Sequence, residues 1–569
     1  MPRDGRRKDL QGPARCATVA TPMATVDLTT ERQALARARD AAASTAVRLA
    51  GVVGSGAGAD ALGNEYIDAV MAGAIAQLQQ DLVVFGRIDD DRPWRIGLYG
   101  VDDSGDQVVV DWRAPFAGAF YQASFDDPRG LSRRITYLGA IDDLFIEDFT
   151  SGEVHGTSPL LAELSRTKGE VMRAAVATLQ TEQDQLVRLD PRARLVVRGG
   201  PGTGKTVVGL HRAAWLVYND TRITAERILV LGPSDRYLKF VSTVLPTLGE
   251  ARVMQSTFAR LLGPSTEAGS DEPWLPALDR LEASLVQPGE LKVGAVRVPE
   301  AVVAELAERL LSRPLPWRDK RTTFVTTIAN RYELRYGDVS TAAKTMWPAV
   351  TLRQAWAKVR NRNVLESIGL DADLIGAWLA DKAADDGALR DEVRARFEGV
   401  PARYSQVIVD EAQDLSLLQL RAVMRRGEGI TLVGDDAQRS NPIGIGLDRA
   451  AELLGATLAQ LDTAYRMSAE IADWLNVHAV AHGIPAVPLI GIRPTGVEVR
   501  TSHDVRAAIA DLEARWPTVA VIAPGEVWDH KGVEYDGVVV LAKGMTPAEV
   551  YLAASRAAHE LVVISGTGS

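Results

Sequence analysis

The sequence predicts an α/β fold with two units that each contain a parallel sheet, the first unit being interrupted by a mostly helical insertion. An N-terminal helical hairpin and a small β-rich module are predicted to precede these units. Three observations predict this fold. Short apolar runs alternate with helical patterns after residue 170, this alternation stops between residues 261 and 400, and it resumes from residue 401. Such alternation is typical of parallel strands connected by helices.

The elements before residue 150 follow from local pattern. Residues 31–49 and 65–84 have helical patterns, and the glycine-rich segment 51–63 between them predicts a helical hairpin. Two β-type runs, 96–99 and 108–112, flank a cluster of turn residues, which predicts that they pair as a hairpin of the β-rich module. The residues before the first helix have basic side chains but no apolar run behind them, which predicts a disordered leader rather than a secretory signal.

The two α/β units account for the remaining strand-like runs. The predicted strands are 195–197, 228–231, 407–410 and 430–433 in the first unit, and 497–500, 519–523, 538–541 and 561–564 in the second. The predicted boundaries are 1–30 for the leader, 31–84 for the hairpin, 85–150 for the β-rich module, 151–260 and 401–460 for the first unit, 261–400 for the insertion and 461–569 for the second unit.

Composition limits the class of protein. A chain of 569 residues is too long for one core, and length alone suggests roughly four domains. The net charge of −10 excludes a surface that binds polyanions everywhere, so any contact with nucleic acid needs a local basic patch. Cys16 is the only cysteine, which excludes a disulfide framework. No apolar run is long enough to span a bilayer, and we expect a cytoplasmic monomer without membrane contact.

A phosphate-binding loop is predicted between the strand 195–197 and the helix that follows it. The loop consists of Gly199, Gly200, Pro201, Gly202, Thr203, Gly204, Lys205 and Thr206, which fit the pattern GxxxxGK[ST]. Glycines allow backbone N–H groups to surround phosphates, and the helix N-terminus adds the positive end of its dipole. Lys205 would contact the β and γ phosphates of ATP, and the Thr206 hydroxyl would bind Mg²⁺.

A second catalytic element follows the apolar strand 407–409. This strand ends in Asp410 and Glu411. With a phosphate-binding loop present, Asp410 is predicted to hold Mg²⁺ through water and Glu411 to accept a proton from the attacking water. A strand end with two solvated acids is the alternative, but the two elements together predict a nucleotide triphosphatase.

Residues 410–414, DEAQD, resemble the DExxD box of superfamily-one helicases of the UvrD/Rep type, and other motifs of that family stand in the same order. The resemblance implies two RecA-like P-loop domains. It also implies roles for further residues: Gln183 as the adenine-reading glutamine, Gln438 of GDDAQ as a γ-phosphate sensor, Tyr465 stacking on adenine, Arg466 contacting the γ phosphate, Glu534 of KGVEYD contacting the nucleotide, and Arg556 of YLAASRA as a second arginine.

Two arginines from the second unit would therefore face a P-loop on the first. Arginine side chains in such positions stabilise the charge of the transition state and link hydrolysis to domain closure. We accordingly assign catalytic roles to Glu411, Gln438, Arg466 and Arg556. The other motif residues named above are assigned to the binding of ATP and Mg²⁺.

A narrower resemblance lies outside these motifs. Segments 85–89, 111–115, 210–214, 231–234 and 346–348 resemble the HelD family of bacterial motor ATPases, which bind RNA polymerase. This resemblance implies RNA polymerase core enzyme as the partner, and an ATP-driven release of polymerase from nucleic acid that recycles it. Relatives in the HelR branch also protect polymerase from rifamycin antibiotics.

Two departures from the UvrD pattern disfavour DNA unwinding. Residues 439–444 contain no aromatic side chain, whereas the helicases place there a ring that stacks on single-stranded DNA. Only 65 residues separate Tyr465 from Lys531, which leaves no room for a large accessory domain. A UvrD-like DNA helicase and an ATP-gated polymerase accessory protein nevertheless remain as alternatives, with DNA as a further candidate partner.

The insertion contains a strongly basic segment. Between residues 309 and 362, twelve Lys or Arg residues accompany three acids and six interleaved aromatic residues. Such composition is typical of a groove for single-stranded nucleic acid. The alternative is that the aromatic residues form a core and the basic residues a solvated face. The family resemblance implies that this insertion enters the main channel of polymerase and that the hairpin enters the secondary channel.

Overall fold

The computed structural model describes residues 26–51, 83–138, 143–156, 158, 179–250, 252–264, 271–380 and 386–564, together with Ile75 and Leu78. Its helices are α1 Leu28–Ala50, α2 Gly118–Gln122, α3 Thr181–Val187, α4 Lys205–Asn219, α5 Asp235–Thr247, α6 Phe258–Leu262, α7 Trp274–Ser284, α8 Glu300–Leu311, α9 Trp317–Arg331, α10 Tyr336–Ala342, α11 Leu352–Val359, α12 Arg362–Ser367, α13 Ala372–Ala380, α14 Gly387–Phe397, α15 Leu417–Arg426, α16 Gly446–Leu454, α17 Ala469–His482, α18 Val505–Glu513 and α19 Pro547–Ala554. Its strands are β1 Val84–Asp89, β2 Pro93–Gly97, β3 Val101–Asp103, β4 Asp106–Asp111, β5 Arg133–Tyr137, β6 Leu144–Asp148, β7 Glu153–His155, β8 Arg194–Gly199, β9 Ile228–Gly232, β10 Met254–Thr257, β11 Leu291–Val293, β12 Val296–Val298, β13 Tyr404–Val409, β14 Gly427–Gly434, β15 Thr457–Leu461, β16 Thr463–Ala464, β17 Ile490–Gly491, β18 Arg500–Ser502, β19 Val519–Ile522, β20 Tyr535–Leu541 and β21 Ala557–Ile564.

Helix α1 begins at Leu28, inside the predicted leader, because the Asp27 side chain caps its N-terminus by accepting a hydrogen bond from the backbone of Thr29. The helix buries a stripe of alanines against strands β3 and β4. The predicted second helix, 65–84, lies largely outside the described residues. Leu78 packs in the same cluster as α1, and Val84 already belongs to β1.

The β-rich module is a seven-stranded sheet with the order β3-β4-β2-β1-β5-β6-β7. The predicted pairing of runs 96–99 and 108–112 as a hairpin is wrong, because β2 and β4 are parallel neighbours with Ile96 opposite Val110. The hairpin instead joins β4 to the short strand β3 through Ser104 and Gly105. Both of these turn residues have positive φ, as a type I′ hairpin turn requires.

The first α/β unit has a six-stranded parallel sheet in the order β10-β9-β13-β14-β8-β15. Strand β9 is apolar and buried along its whole length, and residues 407–409 of β13 are as well, as expected for a parallel sheet covered by helices on both faces. Strands β9 and β13 are neighbours although the insertion separates them in sequence. All parallel strands end at the same edge, which places the loops after β8, β13 and β14 close together.

The second α/β unit has a four-stranded parallel sheet in the order β18-β21-β20-β19. The predicted strand 497–500 is displaced to Arg500–Ser502, and β20 begins at Tyr535, before the apolar run that predicted it. The segment between Tyr465 and Lys531 supplies α17, β17, β18, α18 and β19. As predicted, it completes this unit and adds no accessory domain.

The insertion is mostly helical, as predicted, and has its own hydrophobic core formed by α7 to α14. Trp317, Phe324 and Trp347 are at most 1% exposed, Tyr332 and Trp356 pack against the same core, and Tyr336 is exposed. The aromatic residues therefore do not line a groove for single strands. Eight basic side chains of the segment are exposed: Arg309, Arg313, Arg318, Arg331, Arg335, Lys344, Arg353 and Arg362.

Ion pairs attach the insertion to the first α/β unit. Asp391 on α14 pairs with Arg426 on α15 at 2.5 Å, and both side chains are buried. Neighbouring Glu392 pairs with Arg425 at 2.5 Å and with Arg421 at 3.1 Å. Across the part of the chain that the structure describes, no helix is both long and apolar enough to cross a membrane.

Candidate nucleotide-binding site

The phosphate-binding loop connects β8 to α4. Gly202 and Gly204 have φ angles of 74° and 80°, a backbone region that glycine adopts without strain. The Thr203 hydroxyl donates a hydrogen bond to the carbonyl oxygen of Gly200 at 2.9 Å, and the Lys205 ammonium donates to the same oxygen at 2.7 Å. The loop is therefore preformed, and the Lys205 ammonium lies across its interior, where the charge of a phosphate chain would attract it.

Asp410 lies beside this loop at the end of β13. The Thr206 hydroxyl donates a hydrogen bond to Asp410 Oδ2 at 2.7 Å. Burial, together with the charge of Glu411, raises the pKa of the Asp410 carboxyl above its ordinary value. A hydroxyl and a carboxylate are oxygen donors of the kind that Mg²⁺ prefers, so these two predicted ligands are adjacent and suit this ion.

Glu411 has an unusual backbone conformation. Its φ of 55° is in the left-handed region, and its N–H donates a hydrogen bond to Asp410 Oδ1 at 2.8 Å. Such strained residues cluster at functional sites. The Gln413 amide donates to Glu411 Oε2 at 2.5 Å and accepts a hydrogen bond from the backbone of Asp435 at 3.0 Å. Gln413 thus connects the ends of β13 and β14. It belongs to the DEAQD motif, but no role was predicted for it from the sequence.

Gln438 connects the two α/β units. Its amide nitrogen donates to Asp435 Oδ2 at 2.7 Å, and its oxygen accepts a hydrogen bond from Arg556 Nη2 at 2.6 Å. Asp435 and Arg556 are both buried. Burial lowers the pKa of the Arg556 guanidinium, whereas the nearby carboxylates of Glu534, Glu411 and Asp435 oppose this effect. The predicted sensor and the predicted second arginine are therefore in direct contact.

Tyr465 and Arg466 lie directly against the phosphate-binding loop. The backbone N–H of Tyr465 donates to the carbonyl oxygen of Gly202 at 3.0 Å. A Cβ atom built on Gly202 would lie 3.7 Å from Arg466 Cβ, so the two backbones approach closely. The Arg466 guanidinium pairs with Glu534 at 2.7 Å. Both predicted arginines consequently lie at the cleft between the units.

Gln183 is hydrogen-bonded to the backbone of the phosphate-binding loop. Its amide nitrogen donates to the Thr203 carbonyl oxygen at 3.0 Å, and its oxygen accepts a hydrogen bond from the backbone of Gln180 at 3.1 Å. The side chain is 4% exposed. The Tyr465 hydroxyl donates to neighbouring Glu182. The structure thus brings Gln183 and Tyr465 to one end of the loop, and their roles towards adenine stay predictions.

Sequence reasoning missed Lys531. Its ammonium crosses from the second unit to the first, where it contacts Asp414 at 2.7 Å, Glu411 at 3.3 Å, the Gln438 carbonyl oxygen at 3.1 Å and the Ser440 hydroxyl at 3.2 Å. Burial would lower the pKa of Lys531, but the charges of Glu411 and Asp414 raise it. The available signal was its place as the first residue of the KGVEYD motif.

The buried residue His211 on α4 packs against the β-rich module. Its ring meets the Trp112 ring edge-to-face with centroids 5.3 Å apart, and its Nδ1 lies 2.8 Å from the Val207 carbonyl oxygen. Burial lowers the pKa of His211 to about 4. Trp112 belongs to the β-rich module, so this contact joins that module to the helix that begins at Lys205.

Two family models match separate parts of the chain, and one of them spans the phosphate-binding loop, Asp410, Glu411 and Gln438. The family model described as DNA helicase IV HelD, N-terminal domain, matches residues 24–141, and the AAA domain model matches residues 183–442. No curated protein is similar to the chain at the level of sequence.

Three solved helicase structures share low similarity with the chain. An arterivirus nonstructural protein 10 helicase in complex with DNA has 11% identity and a TM-score of 0.30, covering 67% of this chain and 63% of its own. The PRRSV helicase has 12% identity and a TM-score of 0.28, with 68% and 55% covered. The arterivirus helicase without DNA has 11% identity and a TM-score of 0.28, with 68% and 62% covered. The chain thus spans less than two thirds of the length of each.

Proposed function

For this HelD-like P-loop NTPase of the superfamily-one helicase type, we propose that ATP hydrolysis with Mg²⁺ moves the two α/β units and releases RNA polymerase from nucleic acid. The observation that carries the proposal is the contact of both units at one cleft. Gly202 of the phosphate-binding loop bonds to the backbone of Tyr465, and Gln438 beside it bonds to Arg556. A nucleotide in this cleft would contact both units at once.

Different residues of the chain perform the separate steps of ATP hydrolysis. The loop N–H groups and Lys205 hold the phosphates, and Thr206 with Asp410 holds Mg²⁺, which neutralises phosphate charge when it is bound. Glu411 accepts the proton of the attacking water, and its contact with Gln413 orients the carboxylate. Arg556 and Arg466 supply positive charge from the second unit, which stabilises the transition state in the closed arrangement.

Nucleotide turnover would move attached parts as rigid bodies. The insertion is fixed to the first unit by the buried pair of Asp391 and Arg426. The β-rich module is fixed to the same unit by Arg188, which donates hydrogen bonds to the carbonyl oxygens of Trp112 and Ala114 at 3.1 and 3.2 Å. Opening and closing of the cleft would therefore displace the second unit relative to both attachments.

Two observations support polymerase as the partner. Residues 24–141 match the model described as DNA helicase IV HelD, N-terminal domain, and it is the HelD resemblance of the sequence that implies polymerase. In addition, Ser440 and Asn441, where UvrD helicases carry their base-stacking segment, are hydrogen-bonded to Asp414 and offer no ring to a strand. The insertion also exposes eight basic side chains, and such charges would favour contact with acidic groups or with phosphates. Protection from rifamycin stays a prediction from sequence.

The hydrolytic step is tested with Glu411→Gln. We expect this variant to bind ADP with unchanged affinity while its steady-state ATPase rate falls at least 100-fold, because the amide cannot accept the proton. It should also stop releasing polymerase from a preformed complex with DNA, as followed by fluorescence anisotropy of the labelled DNA. Release at the wild-type rate by the inactive variant would contradict the motor and favour an ATP-gated accessory protein.

The partner is tested by affinity capture of polymerase core enzyme with the full chain, with and without nuclease. We expect capture that resists nuclease and withstands moderate salt. Capture that disappears after nuclease treatment, together with ATPase activity stimulated by oligonucleotides, would contradict the polymerase proposal and favour a DNA helicase.

A further inference from the structure

A cavity of about 620 Å³ lies between the insertion and the first α/β unit. Its walls are formed by helices α7, α9, α14 and α15 and by the segments 311–316 and 399–403. Arg403 in this wall immediately precedes β13, whereas Asp410 immediately follows that strand. At about 3.3 Å per residue, the cavity and the nucleotide site are therefore roughly 20 Å apart, at opposite edges of the sheet.

The cavity has an excess of positive charge. Six cationic side chains line it: Arg313, Lys320, Arg396, Arg403, Arg421 and Arg425. The acids that face them are Asp279 and Glu282 in the wall and the buried Glu392 behind it. Six cations against three carboxylates leave a net charge of +3 in a concave site.

The interior pairs are already satisfied. Glu392 pairs with Arg396, Arg421 and Arg425 at 2.8, 3.1 and 2.5 Å. Burial would raise the pKa of Glu392, but these arginines lower it to about 2. Lys320 pairs with Glu282 at 2.6 Å. Arg396 also pairs with Asp279 at 2.6 Å, so each of the three carboxylates already has a cationic partner other than Arg313 and Arg403.

Arg313 and Arg403 supply two of these positive charges. Both are exposed, and neither forms an ion pair within the described part of the chain. They stand on two different segments of the cavity wall, one in the insertion and one immediately before β13. The lining also contains apolar side chains, among them Pro314, Leu315 and Met424. Paired guanidinium groups bind phosphate oxygens with two hydrogen bonds each.

We propose that this cavity binds the phosphate chain of a small nucleotide-sized anion, a nucleoside diphosphate or triphosphate, at a site separate from the phosphate-binding loop. Its volume is within the range of small-molecule sites. A net charge of +3 matches a diphosphate or triphosphate, and the apolar wall suits the sugar and base. Arg313 and Arg403 hold the phosphates, and the half-buried arginines that pair with Glu392 add further positive charge to the lining.

The proposal is tested by isothermal titration of the full chain with sodium tripolyphosphate and with ADP, in a Lys205→Ala background that weakens the phosphate-binding loop. We expect one saturable site for each probe, with affinity that falls as NaCl is raised. The added pair Arg313→Ala and Arg403→Ala should weaken both affinities at least tenfold. Lys344→Ala, which removes an exposed lysine of the insertion outside the cavity, is the matched control and should leave both affinities unchanged.

Three results would overturn the proposal: no saturable binding of either probe, affinities that the Arg313 and Arg403 substitutions do not change, or binding of a single-stranded 12-mer through these arginines while neither probe binds. Because both arginines are exposed and lack ion pairs in the described structure, we expect their variants to fold, and unchanged thermal unfolding verifies this.

Discussion

Replacing Lys531 with Met should weaken the contact that holds the two α/β units together in the absence of nucleotide. The ammonium makes four contacts with the first unit, the shortest being 2.7 Å to Asp414, and the side chain is 13% exposed. Methionine preserves the length of the side chain and removes its charge. The substitution therefore tests the electrostatic contact separately from packing.

The free energy lost in the Lys531→Met variant depends on which hydrogen bonds Asp414 and Glu411 keep. Asp414 retains hydrogen bonds from Ser440 and Asn441, and Glu411 retains the one from Gln413. Neither carboxylate is left as a buried unpaired charge, so the loss is that of a charge-assisted hydrogen bond, about 1.5 to 3 kcal/mol. This shifts the ratio of open to closed molecules by about 10- to 150-fold.

Single-molecule energy transfer measures this ratio directly. Dyes on Lys239→Cys in the first unit and Glu498→Cys in the second, both at exposed positions, report their separation once Cys16, the only native cysteine, is replaced by Ser. Lys543→Met, which neutralises an exposed lysine of the second unit, is the control. If the Lys531 variant opens no more often than the Lys543 variant, the proposed role of this contact in closure is wrong.

Three further substitutions test the cleft and its support. Arg556→Ala should lower kcat about 10³-fold at nearly constant ADP affinity, because it removes the buried charge beside Gln438; an ATPase rate within tenfold of wild type would count against the assignment. Thr206→Ala should raise the Mg²⁺ concentration for half-maximal ATPase at least tenfold, and a titration with an unchanged midpoint would exclude Thr206 as a ligand. Burial lowers the pKa of His211 to about 4, so as the pH falls this histidine is protonated in the unfolded chain before it is protonated in the folded one. Protonation of His211 should therefore lower the free energy of unfolding by about 2 kcal/mol between pH 7.5 and 5. Urea unfolding of His211→Phe should lack this part of the pH dependence, and an identical slope would show that His211 does not cause it.

Motifs that are contiguous in sequence predicted the site well. The phosphate-binding loop and the pair Asp410 and Glu411 each follow a buried strand, and parallel strands end at one edge, so local pattern sufficed to place them together. The hydrogen bond between Thr206 and Asp410 joins residues 204 positions apart, yet both positions were predicted. The pattern of a buried strand followed by a motif therefore predicts where most of the catalytic residues of the first unit lie.

Features that depend on distant packing could not be predicted in the same way. The role of Lys531 depends on the contact between its ammonium and the Asp414 carboxylate of the other unit. A local sequence pattern does not predict the distance between these two groups. The pairing of β2 with β4 depends on strand register, which the turn residues alone do not determine. The aromatic residues of the insertion have the composition of a binding groove, but only the packing of α9 against its neighbours shows that Trp317 and Phe324 face inward.

The position of the insertion also affects how the chain matures on the ribosome. Strand β13 lies in the middle of the first sheet, between β9 and β14, yet it is synthesised roughly 170 residues after β9. At about 5 to 20 residues per second, the early strands wait about 10 to 30 s for their central neighbour. During that interval the apolar edge of β9 is exposed to chaperones, while the insertion has its own core and can fold first. Nascent chains stalled before residue 404 should therefore bind holdases more strongly than chains stalled after the sheet is complete.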